Sequence, residues 1–121
     1  MMLERKATGY YGEEIAKKAM EKRGYRLVVK NYTIRGGEID LIMEKGDELV
    51  FVEVKTRRND LFGSPLESIT PQKQKRILRA ANVFLCGKDP CRYNIRFFAV
   101  AVLLNREDCL QKVEIYEDIF V

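Results

Sequence analysis

The sequence predicts one α/β domain, residues 1–121, with a central mixed β-sheet flanked by helices in the order α-β-β-β-α-β-β. Two segments carry apolar residues at helical spacing, and five carry the apolar runs or the alternation of β-strands. A helix connects the third and fourth predicted strands, and such a crossover makes the two strands parallel. The first three strands follow one another closely, as in an antiparallel meander. A chain of 121 residues is long enough to bury a substantial core.

Capping residues delimit the two predicted helices. Thr8 is a candidate N-cap of the first helix, and Gly24 is a candidate C′ residue. Thr70 followed by Pro71 predicts the start of the second helix, which Gly87 ends. The apolar faces consist of Gly12, Ile15, Ala16, Ala19 and Met20 in the first helix, and of Ile77, Leu78, Ala81, Phe84 and Leu85 in the second.

The five predicted strands differ in the spacing that separates them. They span residues 25–33, 38–44, 48–56, 94–104 and 113–120. The first three are joined by short turns, whereas a loop of about 12 residues, 57–69, precedes the second helix. A loop of this length in a small domain indicates either a functional segment or a mobile one.

Three charged residues lie inside segments that otherwise have the character of buried strands. Asp40 follows Ile39, and Glu53 and Lys55 alternate with Val54 at the end of the third strand. Charged side chains are almost never fully buried unless they are paired or bound to a metal, so we interpret them as functional. The alternative is an Asp at a strand end and a Glu on an exposed edge.

The turn between the second and third strands sets their register. If residues 46 and 47 form a two-residue hairpin loop, each step back along one strand matches one step forward along the other. The resulting pairs are Lys45 with Glu48, Asp40 with Glu53, and Glu38 with Lys55. Like charges directly opposite each other are destabilising, so the Asp40–Glu53 pair predicts a divalent cation between the two carboxylates. A longer loop would break this register.

Four motifs occur in a fixed order along nearly the whole chain. They are GYYGE at residues 9–13, GEIDLI at 37–42, FVEVKTR at 51–57 and FGSP at 62–65. Together they resemble the YraN-like family of uncharacterised bacterial endonuclease-like proteins, within the PD-(D/E)xK nuclease superfamily. That family is in turn similar to Holliday-junction resolvases.

The resemblance implies a restriction-endonuclease-like fold and a metal-dependent nuclease that hydrolyses phosphodiester bonds, with branched DNA among the candidate substrates. Its implied catalytic residues are Glu13, Asp40, Glu53 and Lys55. Carboxylates suit Mg²⁺ or Mn²⁺, so we expect Asp40 and Glu53 to be metal ligands, with Glu13 added by the resemblance. Lys55 would orient the attacking water and stabilise phosphoryl charge. Glu38 is a secondary candidate.

Each of these assignments has an alternative. Lys55 can form a cross-strand ion pair with Glu38, which is the partner that the register predicts. Glu13 can pair with Lys17 four residues later on the first helix. Tyr10 and its neighbour could stack on bases, although packing against the protein is the favoured interpretation.

The charge distribution suits a nucleic-acid partner, and the resemblance implies that this partner is DNA. The net charge is +4 with a pI of about 9.0, and the basic residues concentrate between Lys55 and Arg79. Within that segment we expect backbone contacts from Arg57, Arg58, Lys73 and Arg76. The alternative for these four is a set of solvated helix and loop faces.

One position departs from the family pattern. The family usually has Arg-Phe-Asp-Val in the late strand, whereas this chain has Phe98 where the Asp would stand. This difference keeps a second function open, a catalytically inactive nucleic-acid-binding or protein-docking module on a nuclease-like scaffold.

Other features exclude several classes of protein. The chain has no His, and its three cysteines lack metal-binding spacing, so we expect no zinc site and reduced thiols. No apolar run approaches the roughly 20 residues of a membrane span, and the N-terminus lacks an apolar signal core. We therefore expect a cytoplasmic protein without a membrane partner, and a homodimer stays open.

Overall fold

The computed structural model describes residues 5–58 and 65–120, which form two α-helices packed against a five-stranded sheet. The elements are α1 Arg5–Lys22, β1 Arg26–Ile34, β2 Gly37–Lys45, β3 Glu48–Arg57, α2 Pro71–Leu85, β4 Asn94–Leu104 and β5 Leu110–Tyr116. Two short 3₁₀ turns cover Pro65–Ser68 and Pro90–Arg92. The predicted α/β class and element order are therefore confirmed.

The sheet is mixed, as the connections predicted. Its strand order is β1-β2-β3-β4-β5, and only the central pair, β3 with β4, is parallel. α2 connects the two parallel strands, because antiparallel neighbours can be joined by a short turn but parallel ones need a crossover. The restriction-endonuclease-like version of this architecture stays a prediction.

Several predicted boundaries agree closely with the structure. β4 has the predicted bounds, and the Thr70 side chain accepts a hydrogen bond from the Lys73 backbone N–H at 3.1 Å, as an N-cap does. Gly24 follows α1 with φ of 95°, a value that favours glycine. Of the predicted loop 57–69, residues 59–64 lie outside the described part of the chain. Neither described helix is long and apolar enough to cross a membrane.

Three predicted boundaries are wrong. α1 already includes Arg5, so Thr8 lies inside the helix, where its hydroxyl accepts a hydrogen bond from the Arg58 guanidinium at 2.8 Å. β5 ends at Tyr116 rather than at residue 120, and it begins at Leu110 rather than at residue 113. It begins earlier because the Asn105 backbone N–H donates to the Cys109 carbonyl oxygen at 2.8 Å, and this closes a tight turn.

The two faces of the sheet carry separate apolar clusters. The first cluster packs under α1 and the second under α2. The α1 cluster contains Ala16, Met20, Leu41, Met43, Val50, Val52, Phe98 and Val100, and the α2 cluster contains Ile39, Ile42, Leu49, Phe51, Ile77, Ala80, Ala81 and Ala99. In β3, Phe51 faces α2 and the neighbouring Val52 faces α1, which is the alternation of a regular strand.

The backbone of Gly37 packs closely against α2. A substitution at this glycine therefore tests how tightly α2 packs on β2. A Cβ atom added there would lie 2.3 Å from the Arg76 carbonyl oxygen. We expect Gly37→Ala to lower the free energy of unfolding by about 1–3 kcal/mol in urea denaturation, because α2 would have to move. Gly9→Ala in α1 is the control. Its added Cβ meets nothing within 4 Å, so it should stabilise the protein by about 0.5–1 kcal/mol. Equal stability of Gly37→Ala and wild type would contradict the close packing.

Candidate functional site

The strand β2 changes orientation at Asp40. Residues two apart in a regular strand share a face, yet Ile39 packs in the α2 cluster and Leu41 in the α1 cluster. The β1–β2 pairing omits Asn31 and Asp40, and the β2–β3 pairing ends at Leu41 with Val52. Asp40 therefore lies where β2 separates from β3, while the pairing of β2 with β1 is interrupted at Asp40 and resumes at Ile39 with Tyr32.

The carboxylate of Asp40 accepts a hydrogen bond from a backbone N–H of β3 that has no backbone partner on β2. Its Oδ2 accepts a hydrogen bond of 2.7 Å from the Val54 N–H, two residues beyond the last β2–β3 pair. Burial raises the pKa of Asp40, although the bond from Val54 and the charges of Lys73 and Lys55 act against it. A cation beside this carboxylate would stabilise its charged form and lower its pKa again.

Glu53 is a nearly buried carboxylate with one oxygen unpaired. Its residue is 4% exposed, and its Oε2 has no hydrogen-bond partner. Its Oε1 lies 3.6 Å from the Lys55 ammonium and 3.5 Å from that of Lys73, which is longer than a good hydrogen bond. Burial, and then the charge of Asp40, raise the pKa of Glu53 to about 7. The cluster is therefore short of positive charge at the Glu53 carboxylate.

The predicted register is confirmed in part. The five β2–β3 pairs run from Lys45 with Glu48 to Leu41 with Val52, as the hairpin predicted. The ladder ends one residue before the predicted Asp40–Glu53 pair, because β2 turns away there. The two carboxylates are nevertheless close enough for Asp40 to raise the pKa of Glu53.

Glu38 has partners other than the one predicted. Its main chain pairs with Thr33 on β1, and its carboxylate binds two residues of α2 instead of Lys55. The Arg76 guanidinium donates to it at 2.6 Å, and the Lys73 ammonium does so at 2.9 Å. The Arg76 bonds, followed by the bond from Lys73, lower the pKa of Glu38 to about 2. The cross-strand pair with Lys55 is therefore wrong, because α2 packs over this end of β2.

Glu13 lies at the edge of the same cluster. Burial and the charge of Asp40 raise its pKa, while a hydrogen bond with Asn31 lowers it. The alternative partner Lys17 instead forms an ion pair with Glu14 at 3.4 Å. Glu13 is thus electrostatically coupled to Asp40, in agreement with its predicted place beside the two strand carboxylates.

The residues predicted to contact a nucleic-acid backbone occupy different environments. Lys73 and Arg76 are both engaged with Glu38, and Lys73 also reaches Glu53. Arg58 donates to Asp108 at 2.7 Å and to Thr8, which ties the end of β3 to α1 and to the β4–β5 turn. Arg57 is the last residue of β3 and is partly exposed. Their contacts with nucleic acid remain predictions.

The tyrosines of the first motif are more exposed than the favoured packing interpretation expects. Tyr10 is 61% exposed and Tyr11 37% exposed. The Lys30 ammonium lies 4.1 Å from the centre of the Tyr10 ring, a cation–π distance. Tyr10 stands three residues before Glu13 on α1, so the two side chains project from the same side of the helix.

Phe98 belongs to the core. It is fully buried in the α1 cluster, pairs with Val52 in the ladder and makes an edge-to-face contact with Tyr25 at 5.9 Å between ring centres. The register partner of Glu53 on β4 is instead Ala99, which belongs to the α2 cluster. Position 98 therefore lies in the core beneath α1, on the opposite face of the sheet from the register partner of Glu53.

The donor chemistry of the cluster fits a hard divalent ion. Asp40 and Glu53 supply carboxylate oxygens, one of them buried and unpaired, and such oxygens are the ligands that Mg²⁺ and Mn²⁺ prefer. Glu13 is coupled to Asp40. Across residues 5–58 and 65–120, no three carboxylate, thiol or imidazole groups stand close enough together to form a ready-made metal site. Binding would therefore need solvent ligands or a side-chain movement that brings in Glu13.

Comparison with known proteins identifies the family. A model of the uncharacterised protein family UPF0102 matches residues 12–102. The chain belongs to this family. It is 44% identical over 113 residues to a UPF0102 protein of Syntrophus aciditrophicus, covering 93% of this chain and 87% of the relative. It is 42% identical to one of Alkaliphilus metalliredigens, with coverages of 84% and 90%, and 40% identical to one of Pelotomaculum thermopropionicum, with coverages of 96% and 97%. No activity accompanies these descriptions.

The contacts of Lys73 with Glu38 and Glu53 are a feature of the site that the sequence did not predict. The sequence indicates that Lys73 lies in the first turn of α2, since it follows the Thr70 N-cap by three residues. Its contact with Glu53 depends on how α2 packs against β2 and β3. No periodicity or motif within α2 carries that information.

The raised pKa of Glu53 predicts a pH-dependent stability difference. The group titrates near 4.5 when unfolded and near 7 when folded, so the folded state binds more protons between these values. Stability contributed by this group therefore falls as pH rises from about 4.5 to about 7. We expect Glu53→Gln to gain stability relative to wild type over this interval, by a few kcal/mol in urea denaturation.

Glu21→Gln, on the exposed side of α1, is the control and should follow the wild-type profile. A stability difference between Glu53→Gln and wild type that does not change with pH would contradict the burial of an ionisable Glu53.

Proposed function

We propose that the protein is a divalent-metal-dependent nuclease that hydrolyses phosphodiester bonds in nucleic acid, on a restriction-endonuclease-like fold of the PD-(D/E)xK superfamily. One observation carries the proposal. Asp40 and the buried, incompletely paired Glu53 lie close to each other where β2 separates from β3, and Lys55 extends from β3 beside Glu53. This is the arrangement that the D…E-x-K motif predicts.

Electrostatics supports a metal at this place. Burying two neighbouring carboxylates is costly unless a cation compensates them, and the two nearby ammonium groups lie at 3.5–3.6 Å from a single oxygen of Glu53. Residues at functional sites often have such perturbed pKa values, and here the pKa of all three candidate ligands is raised, chiefly by burial. A divalent ion would stabilise their charged forms.

The residues of the site would have different roles in phosphodiester hydrolysis. Asp40 and Glu53 would hold the ion, with Glu13 as a further ligand, and the ion would supply Lewis-acid stabilisation of the phosphoryl charge. Lys55 would contact the reacting phosphate or the attacking water and stabilise negative charge there. Because the chain has no His, proton transfer falls to carboxylates, lysines or water.

The exposed basic side of α2 supports a nucleic-acid substrate. Lys75 and Arg79 line a shallow groove there together with Gly36 and Leu78. Neither basic residue appears among the ion pairs of the described chain, in contrast with Lys73 and Arg76. The groove is thus available to a phosphate backbone. DNA, including branched DNA, is the predicted substrate, and a cytoplasmic location and a homodimer remain predictions from the sequence.

One observation favours the second candidate, a catalytically inactive nucleic-acid-binding or protein-docking module. Two ammonium groups already approach Glu53 Oε1, so the cluster could serve as a fixed ion-pair network that joins α2 to the sheet. Such a network would hold the fold together without binding a metal.

Cleavage assays separate the two candidates. We expect wild type to cleave at least one of a panel of branched, single-stranded and duplex DNA and RNA in Mg²⁺ or Mn²⁺, and the ion to raise its melting temperature. Asp40→Asn and Glu53→Gln should abolish both effects, because they remove ligand charge. Lys55→Met should abolish cleavage while substrate binding persists and weakens with salt, with a slope of about −0.9 per duplex phosphate contacted.

Lys18→Met, on the exposed face of α1, is the matched control and should cleave as wild type does. Cleavage by Glu53→Gln at the wild-type rate would place the active site elsewhere. Salt-dependent binding without cleavage in either metal would favour the inactive module, and binding to none of the panel would indicate a protein partner.

A further inference from the structure

Lys73 is fixed at both ends in the first turn of α2. Its backbone N–H is bound by the Thr70 side chain at 3.1 Å, and its ammonium donates to Glu38 Oε1 at 2.9 Å. Glu38 is in turn held by the Arg76 guanidinium, which donates to Oε1 at 3.3 Å and to Oε2 at 2.6 Å. The hydrogen bonds from Arg76 to Glu38 and from Lys73 to Glu38 therefore hold the Lys73 ammonium at a defined place over the sheet.

The same ammonium lies between two carboxylates and is closer to one of them than to the other. It is 2.9 Å from Glu38 Oε1 and 3.5 Å from Glu53 Oε1, so Glu38 is the closer partner. Burial lowers the pKa of Lys73, but the bond to Glu38 and the charges of Glu53 and Asp40 outweigh it and raise that pKa. Lys73 thus stays charged next to the carboxylate that is the main candidate ligand.

We propose that Lys73 is a positioning residue that competes with a divalent cation for Glu53, and that Glu38, fixed by Arg76, holds the lysine back so that the cation can bind. This inference rests on the proposed metal-dependent function. In this proposal the Lys73 ammonium controls how strongly Glu53 binds a cation, and it does not contact the phosphate backbone of the substrate. It also gives Glu38 a defined role, as the anchor of Lys73.

Removing the Lys73 charge and removing the Glu38 charge should change the metal affinity in opposite directions. Removing the Lys73 charge relieves its repulsion of a cation at Glu53, so metal affinity rises. Removing the Glu38 charge frees the Lys73 ammonium to move onto Glu53, so metal affinity falls. Because Glu38 acts through Lys73, its removal should have little effect once Lys73 is gone. Two residues in contact are expected to show such coupling.

A double-mutant cycle measured with Mn²⁺ alone tests this, by calorimetric titration of the full chain. We expect Lys73→Met to bind Mn²⁺ roughly tenfold more tightly than wild type, because a unit charge a few ångströms from a divalent ion is removed. Glu38→Gln should bind more weakly, and Lys73→Met with Glu38→Gln should bind as Lys73→Met alone does. Lys73→Arg keeps the charge and should stay near wild type.

Lys18→Met, on the exposed face of α1, is the control that also removes a lysine charge, and it should bind Mn²⁺ as wild type does. If Lys73→Met fails to fold, as judged by thermal unfolding, Lys73→Gln replaces it in the cycle. Unchanged Mn²⁺ affinity in the Lys73 variant overturns the inference. So does a Glu38→Gln effect of equal size with and without Lys73, since Glu38 would then act directly on the ion.

The cycle also separates this inference from the function on which it rests. Mn²⁺ binding to wild type with no response to Lys73 leaves the proposed function standing and overturns only the role of Lys73. Failure of both wild type and Lys73→Met to bind Mn²⁺ overturns the metal site and the inference together. Binding by Lys73→Met but not by wild type supports the competition directly.

Discussion

The hydrogen bond between the Asp40 carboxylate and the Val54 N–H is the interaction on which the rest of the site depends. Where β2 leaves β3, the Val54 N–H would lose a backbone partner, and an unpaired buried backbone donor is costly. The Asp40 side chain takes the place of that partner at 2.7 Å. β2 and β3 can therefore separate without an unsatisfied donor, and Asp40 is held close to the buried Glu53 on β3.

The separation of β2 from β3 creates an electrostatic imbalance that the protein only partly corrects. Glu53 is held beside Asp40 with one oxygen unpaired, while Lys55 and Lys73 share the other oxygen at long distances. Glu38, by contrast, is fully neutralised by α2, and its pKa falls to about 2. The same set of charges thus contains one satisfied carboxylate and one unsatisfied carboxylate. Unsatisfied buried charge is unusual in a structural network and common where a ligand binds.

Much of this arrangement could be predicted from the sequence, because it depends on local rules. The hairpin loop at 46–47 fixed five strand pairs, and strand alternation put Glu53 and Lys55 on one face. The change of face at Asp40 could not be predicted, since it depends on which helix packs over each half of β2. For the same reason the partners of Glu38 were missed. Lys73 and Arg76 reach it from α2, which lies 33 or more residues away in sequence.

We propose that Asp40 and Glu53 form a cation site where β2 separates from β3. A crystal structure of wild type grown with Mn²⁺, with anomalous scattering recorded at the manganese absorption edge, tests it most directly. We expect an anomalous peak bound by oxygens of both Asp40 and Glu53, with the Lys73 ammonium withdrawn toward Glu38. Full binding of Mn²⁺ at other residues, or an Asp40–Glu53 pair without a peak at saturating Mn²⁺, would contradict it.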